Sequence, residues 1–443
     1  MKRLLLTATV LLGTVTALWA QIATRYINVQ SGVQYTEHLK DLYLHFHQNP
    51  ELSFFEKETA ARMAQELKAA GCDEVITGIG GHGLVGIMRN GPGKTVMVRA
   101  DMDALPVQEA TGLEYASTVT TVDGDGNTVY TMHACGHDVH MTSLVGAARM
   151  LGNTRSDWKG TIIFLGQPAE ERGGGASAML EDDLLGKIPQ PDYAIALHTS
   201  ASLPAGHVGY VEGYAMANVN SVDITIHGEG GHGAYPHTTK DPIVLAAKII
   251  MSLQTIVSRE ISPLEPAVVT VGSIHGGTKH NIIGDEVHLQ LTLRSYSDEV
   301  RDALIEKIQR ICNGEAMATG LPEEKWPEVV VSEGTPSLYN DPALAQRTAA
   351  AFDLVLDDHQ IHVLQPVMGG EDFSRYGRTQ EDIPIFLYWL GAVPQARWEA
   401  AQAGELTLPS LHSPKFYPDP EPTITTGVRT LVMAVNQLLM GEE

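Results

Sequence analysis

The sequence is short of cysteine and of positive charge. Its 443 residues hold three cysteines, Cys72, Cys135 and Cys312. Three cannot build the dense disulfide framework of a small secreted domain, although a Cys72–Cys312 pair stays open on sequence alone. There is no second Cys pair to complete a zinc finger. Lysine and arginine total 30 against 53 aspartates and glutamates, a formal charge of −23. A surface of that sign repels nucleic acid and anionic membranes, so neither is expected as a partner. No acidic run is long enough to suggest a disordered tail, and no repeat or low-complexity tract is visible. What remains is an ordinary globular composition, 43% hydrophobic, long enough for two domains.

The N-terminus reads differently from the rest. Lys2 and Arg3 precede a mostly apolar stretch from Leu4 to Leu18, and Ala20 is a suitable last residue before a cut. The pattern predicts a signal peptide over 1–20 and a periplasmic or secreted protein. The apolar core is too short for a good membrane span, and polar sequence follows. A retained membrane anchor is the competing reading. Without a cysteine near the cut, a lipoprotein anchor is not expected. Cleavage removes the two positive charges and takes the formal charge from −23 to −25.

Periodicity organises the remainder. A helix is expected from Tyr35 to the Asn49-Pro50 turn, and another over Glu56–Ala70, stopped by Gly71. Short apolar runs of buried-strand type follow at Thr95–Val98, Thr161–Leu165, Tyr193–Leu197 and Ile385–Leu390. Met141, Leu144, Val145, Ala148 and Leu151 keep helical spacing over Asp138–Leu151. Strands alternating with helices imply an α/β domain, its sheet covered on both faces, at 33–215 and 335–443. The middle differs. Strands at Val222–Ile226, Val268–Val271, Val287–Leu293 and Val329–Val331, with helices at Pro242–Arg259 and Ser297–Ala316, give a β-α-β-β-α-β order. That is a ferredoxin-like α+β unit, placed at 216–334 as an insertion.

The chemistry concentrates at predicted strand ends, where α/β sheets gather their ligands. Residues 133–140 read His-Ala-Cys-Gly-His-Asp-Val-His. Cys135 and His137 fall on a loop at a helix N-terminus, where backbone N–H groups and the helix dipole favour a thiolate. Asp101 and Asp103, Glu170 and Glu171, and His198 each follow a predicted strand, and His412 follows strand-like sequence. Each has a plainer reading: His198 as a structural histidine, Glu170-Glu171 as a solvated pair, Gly173-Gly174-Gly175 as a turn. Taken together they favour a metal site. A cysteine nucleophile with His137 as its base gives no role to the further histidines and glutamates.

The stretches that carry a resemblance are His47-Gln-Asn-Pro-Glu-Leu-Ser, Arg99-Ala-Asp-Met-Asp-Ala-Leu-Pro, residues 133–140, Gln167-Pro-Ala-Glu-Glu, Gly231-His-Gly-Ala-Tyr-Pro-His, Gly276-Gly-Thr-Lys-His-Asn-Ile-Ile, Gly369-Gly-Glu-Asp-Phe and Leu411-His-Ser-Pro. Over about residues 34–420 the chain resembles the dinuclear-metal amidohydrolases related to aminoacylase and carboxypeptidase G. It most resembles the subgroup with auxin-conjugate amidohydrolases and hippurate hydrolase. Ile283-Gly284-Asp285 departs from that subgroup's Ile-Pro-Asp, and Gly loosens the turn.

The resemblance implies a zinc-peptidase-like catalytic domain and an inserted dimerisation or lid domain. It implies metal ligation by Cys135, His137, Glu171, His198 and His412, with Asp103 orienting a ligand or the metal-bound water. Asp101 stands where the wider family has a histidine ligand. Thiolate and imidazole select transition metals over Mg²⁺ or Ca²⁺, so the implied cofactors are two divalent ions of zinc, manganese, cobalt or nickel. The activity implied is hydrolysis of an N-acyl amino acid or small dipeptide-like compound, with Glu170 as general base and acid. Asn281 and Arg294 are candidates for the substrate carboxylate, though Arg294 also reads as a surface strand residue. His232 is the implied functional histidine of the insertion, acting in a homodimer on the partner's site. The alternatives are that it caps its loop, or that His237 is the functional one. A dipeptidase or carboxypeptidase of the same fold is the nearest alternative activity. A catalytically inactive periplasmic binding protein is the alternative of another class.

Overall fold

The computed structural model describes residues 36–440, so the expected signal peptide lies outside the described residues. The described chain divides into two compact units. One takes the chain up to Gly213, Asn340–Leu364 and everything from Tyr376 onward; the other comprises Tyr214–Tyr339 and Gln365–Arg375. The second unit therefore also contains Gly369-Gly370-Glu371, which the predicted boundaries put in the first. Backbone pairing holds that return segment there: Val367 N–H donates to Ala215 O and Ala217 N–H to Gly369 O, each at 3.0 Å.

The first unit is built on a mixed sheet of eight strands. Their order is Glu74–Ile79, Gly83–Asn90, Gly160–Gln167, Thr95–Asp101, Tyr193–Pro204, Ile385–Val393, Val208–Tyr210, Ile361–Val363. The four central strands run parallel. Apolar residues fill them almost without a break, as expected where both faces are covered. Helices Glu37–Gln48, Lys57–Ala69, His137–Asn153, Pro342–Phe352 and Pro420–Leu439 contribute Phe46, Met63, Leu144, Phe352 and Leu431 to one continuous core with Val96, Val98, Phe164, Ile195 and Phe386. The predicted helices and strands are present, most of them longer than the apolar runs that announced them. Hydrogen bonding continues past the last apolar residue wherever a neighbouring strand still offers partners.

The second unit has a four-stranded antiparallel sheet in the order Ala267–Gly276, Glu286–Ser295, Asn218–His227, Glu328–Thr335. Two helices, Pro242–Thr255 and Asp298–Thr319, pack on it through Leu245, Ile249, Leu253, Leu304 and Ile308. In chain order this is the 2-3-1-4 arrangement of the β-α-β-β-α-β motif. The first helix continues without a break into a π-wound last turn, Ile256–Glu260, so the helix expected to Arg259 is present and only its final winding differs. All three cysteines are free, so the Cys72–Cys312 pair left open by the sequence is not formed.

A buried ionic cluster ties helix Glu37–Gln48 to helix His137–Asn153. His47 Nδ1 lies 2.7 Å from Asp138 Oδ2, and His47 Nε2 lies 3.3 Å from Glu109. Burial alone pulls the His47 pKa down, but Asp138 and Glu109 outweigh it and hold it at about 9. A raised folded-state pKa contributes stability that is complete below the unfolded value of 6.5 and is lost as pH rises through about 9. Replacing His47 by Gln leaves two buried carboxylates without their cation, which typically costs about 3–5 kcal/mol. Thermal unfolding should show His47→Gln strongly destabilised near neutral pH, with less further loss at alkaline pH than the wild type. Equal alkaline losses in both proteins would exclude this cluster as the source.

Candidate metal centre

Strand register sets the site. Arg99 pairs with Ala196 and Asp101 with Gln167. Asp101, the last residue of its strand, and His198 on the adjacent parallel strand therefore each lie two residues beyond the Arg99–Ala196 pair. His198 does not follow its strand, as the apolar run suggested; it sits inside a strand that continues to Pro204. Its partner Ile385–Val393 stays paired along that stretch, which is why the strand persists.

Gly136 brings Cys135 against this strand. It caps helix His137–Asn153 with φ 81°, and a Cβ there would meet Thr199 Oγ1 at 2.6 Å. Thr199 Oγ donates to Cys135 O at 2.6 Å and clamps the loop. His412 does not follow a strand either: it lies in a turn with φ 64°. Its N–H donates to Ala134 O at 2.9 Å, which carries this late loop to the cysteine.

The side chains then converge. Cys135 Sγ is 3.5 Å from His198 Nε2 and 3.3 Å from His412 Nε2. Glu171 Oε2 is 3.4 Å from His412 Nε2, and Glu171 Oε1 is 3.7 Å from His137 Nε2. His137 Nδ1–H donates to Asp103 O at 2.8 Å and His198 Nδ1–H to Thr199 O at 2.8 Å, so both present Nε2 to the centre. His137 Nε2 and Glu171 Oε1 are buried without a hydrogen-bond partner. Buried polar atoms are ordinarily paired, and two such acceptors beside a thiol and two further imidazoles suit a transition-metal cation. The five ligand candidates thus come together within the first unit.

The electrostatics correct one expectation. Burial pushes the Cys135 thiol well above its usual range, and Glu171, Glu170 and Asp101 add to it. Burial and those carboxylates oppose the helix dipole, and a bound cation would favour the thiolate. That argues against a cysteine nucleophile, which needs the thiolate ready-made. Burial likewise pushes the Glu171 carboxyl up to about 7. Metal binding to such groups must release protons. Cys135→Ser should therefore lower both bound metal and activity. Full metal occupancy in that variant, with an acyl-thioester trapped on the wild type, would reverse the assignment.

Asp103 and Glu56 organise the glutamate turn. Asp103 Oδ1 accepts from Glu170 N–H at 3.1 Å, and its Oδ2 accepts from Glu171 N–H at 3.0 Å and Ser53 Oγ at 2.6 Å. Glu56 Oε1 accepts from Ala169 N–H at 2.7 Å. Ala169 has φ 49°, an uncommon conformation for a residue with a Cβ, and three consecutive amides are held by the side chains of Glu56 and Asp103. Burial, with Asp103 alongside, pushes the Glu56 carboxyl up to about 8, so it accepts here while neutral.

Asp101 has both oxygens occupied. Arg99 Nη1 donates to Oδ2 at 2.7 Å and His140 Nδ1–H to Oδ1 at 2.6 Å. His140 Nε2 accepts from Thr199 N–H at 2.8 Å, so this histidine supports the site and has no nitrogen left for a metal. Sequence reasoning missed both Glu56 and His140 as site supports. The His137-x-x-His140 spacing at a helix start was the available signal for one; Glu56 looks like any acidic residue before a helix.

The remaining candidates belong to the second unit. Gly231-His232 pairs with Ile282-Ile283 in a short ribbon, and Gly233 N–H donates to Asn281 O at 2.9 Å, so His232 and Asn281 are neighbours. His232 Nδ1 accepts from Ala234 N–H at 3.0 Å. It does cap its loop, and the proton is left on Nε2. Gly284 does not loosen this region: Asp285 Oδ1 accepts from Gly230 N–H at 2.8 Å, and Asp285 O from Gly228 N–H at 2.7 Å. His237 is exposed on the following turn. Arg294 is half-buried on strand Glu286–Ser295, and burial lowers its pKa.

Known proteins resemble this chain in sequence and fold. An N-acetylcysteine deacetylase of Bacillus subtilis is 37% identical over 358 residues, 80% of this chain and 87% of the relative. A hippurate hydrolase of Campylobacter jejuni is 39% identical over 342 residues, 77% of this chain and 85% of the relative. A solved Bacillus subtilis protein, described as a dinuclear metal binding peptidase from the M20 family, superposes with a TM-score of 0.73 at 30% identity, covering 91% of this chain and 98% of that one. The model of peptidase family M20/M25/M40 matches residues 97–403. Agreement of sequence and fold over most of the chain makes this protein a member of peptidase family M20/M25/M40 and a hydrolase of amide or peptide bonds.

Proposed function

We propose that the chain is an exported amidohydrolase that splits an N-acyl amino acid, or a small dipeptide-like compound, into a carboxylic acid and an amino acid. The observation that carries this reading is the Asp103 clamp on two successive amides. It sets Glu171 toward Cys135 and His412, and keeps Glu170 in the same cluster, with one ligand atom each of His137, Glu170 and Glu171 within 4.8 Å of one another. When bound, two divalent metals held by Cys135, His137, Glu171, His198 and His412 supply Lewis acidity toward a carbonyl and toward water. Glu170 takes the proton of the attacking water and delivers it to the leaving amine nitrogen. Asp103 keeps that carboxylate in place. His232, with its proton on Nε2, donates to the developing oxyanion; Asn281 and Arg294 take the substrate carboxylate.

A homodimer joined through the second units fits two features of that unit. Strand Ala267–Gly276 is an unpaired edge among the described residues, a ready template for another strand. Beside it, Ile243, Val244 and Met251 lie exposed on the outer face of helix Pro242–Thr255. In such a dimer His232 and Asn281 would serve the partner's site.

Hydrolysis rates on hippurate, N-acetylcysteine and a dipeptide panel, with zinc, manganese, cobalt or nickel added, test the proposal. Highest kcat/KM is expected on N-acyl amino acids. Preference for dipeptides would transfer the assignment to a peptidase, and no turnover of any substrate by metal-loaded protein would exclude both. Export is checked separately: the mature protein should begin at Gln21.

A further inference from the structure

Three more histidines meet at the far edge of the large sheet. Val208–Tyr210 and Ile361–Val363 are its last two strands, in parallel register with Ile361 opposite Val208 and His362 opposite Gly209. His207 precedes the first of these strands; His359 and His362, in His359-Gln-Ile-His362, flank the start of the second. His207 Nδ1 and His362 Nε2 are 2.9 Å apart, with ring planes 12° apart and centroids separated by 5.2 Å. The His359 ring lies 5.9 Å from that of His207, nearly perpendicular to it at 79°.

Hydrogen bonds to the backbone hold the segments that carry His207 and His359. Gln360 closes a capping box with Asp357 on the turn that bears His359. The same Gln360 side chain donates to Gly206 O at 2.8 Å, which joins that turn to the loop bearing His207. Gly391 N–H donates to His207 O at 2.8 Å and anchors the loop to the next strand. His359 is exposed and the other two are half-buried, so an ion can enter from solvent.

A simple N–H···N bond accounts for His207 and His362 but leaves the third ring without a purpose. Burial and the two neighbouring histidines pull the His207 pKa down, so this ring is a neutral imidazole at physiological pH. Neutral imidazole is the commonest metal ligand. Zinc–nitrogen bonds of about 2.0–2.1 Å in a tetrahedral shell put two ligand nitrogens roughly 3.3 Å apart, a few tenths of an ångström from the spacing found here. An all-imidazole set prefers zinc, nickel or copper over magnesium or calcium. The exposed Asp357 and Asp358 add negative charge next to it in the chain.

We propose that His207, His359 and His362 form a second transition-metal site, separate from the centre around Cys135, that takes Zn²⁺, Ni²⁺ or Cu²⁺ with water completing the shell. The ion staples the loop before Val208 to the turn before Ile361. Because it binds the folded protein only, it raises stability with free metal concentration.

The test is metal content at a fixed, buffered free zinc concentration, measured by mass spectrometry on the full chain. Wild type should hold one more zinc per chain than His207→Asn or His362→Asn, and both variants should keep wild-type turnover. Cys135→Ser should keep this ion while losing metal from the other centre. Added zinc should raise the wild-type Tm more than that of either histidine variant. Should those two fail to fold, His359→Asn, on the exposed turn, gives the same comparison. Histidine variants with as much zinc as the wild type overturn the proposal, as does a Cys135→Ser protein that holds no zinc at all.

Discussion

Glu170→Gln will lower turnover by about 10²–10⁴-fold, the usual contribution of general-base catalysis, and will leave metal content unchanged. The expectation rests on the different tasks of two adjacent carboxylates. Glu171 reaches within 3.4 Å of His412 Nε2 and 3.7 Å of His137 Nε2, and one of its oxygens is buried without a partner. Glu170 is held by the same Asp103 through its own amide at 3.1 Å. Neutralising it keeps shape and packing and removes only the proton acceptor. Glu171→Gln should behave differently, losing metal together with activity, because an amide is a much poorer ligand than a carboxylate. Metal content and kcat measured on both variants separate the roles. Near-normal turnover in Glu170→Gln would refute the base assignment; metal loss in that variant would make Glu170 a ligand instead.

His232→Ala will cost about 10²–10³ in turnover, the typical loss for one well-aimed donor to an oxyanion, again with metals retained. The His232 Nδ1 lone pair is committed to Ala234 N–H at 3.0 Å, which leaves Nε2 as the ring's donor. If it acts on a partner's site, two inactive proteins should complement each other. Mixing His232→Ala with Glu170→Gln under subunit exchange would create hybrid sites with both native residues and restore part of the activity. A mixture that exchanges subunits and stays inactive would count against action in trans. A fully active monomer would eliminate it, and with it the dimer proposed above.

Much of this protein is determined by the sequence alone, because much of it depends on local chemistry. Apolar runs and period-3.6 spacing identify the four central strands of the first unit and the helices near its site, and the same patterns identify the strands and helices of the second; Glu74–Ile79, Gly83–Asn90, Pro342–Phe352 and Pro420–Leu439 are not identified by them. Gly136 before a helical run marks where Cys135 must turn. Asp, Glu and His after buried strands identify most of the candidate centre, because parallel strands with covered faces leave only their ends for polar groups. Tertiary structure alone decided the rest. Whether His198 ends a strand depends on how far its neighbour continues, and the position of His412 depends on a hydrogen bond to Ala134, 278 residues earlier in the chain. Asp101, after a buried strand, reads as a candidate until Arg99 and His140 are seen to hold both its oxygens. The Cys135 thiol looks activated by its helix until burial among Glu171, Glu170 and Asp101 reverses the sign. Glu56 supports Ala169 from 113 residues away. Desolvation and charge–charge interaction depend on distance through space, and residue order alone does not contain that distance.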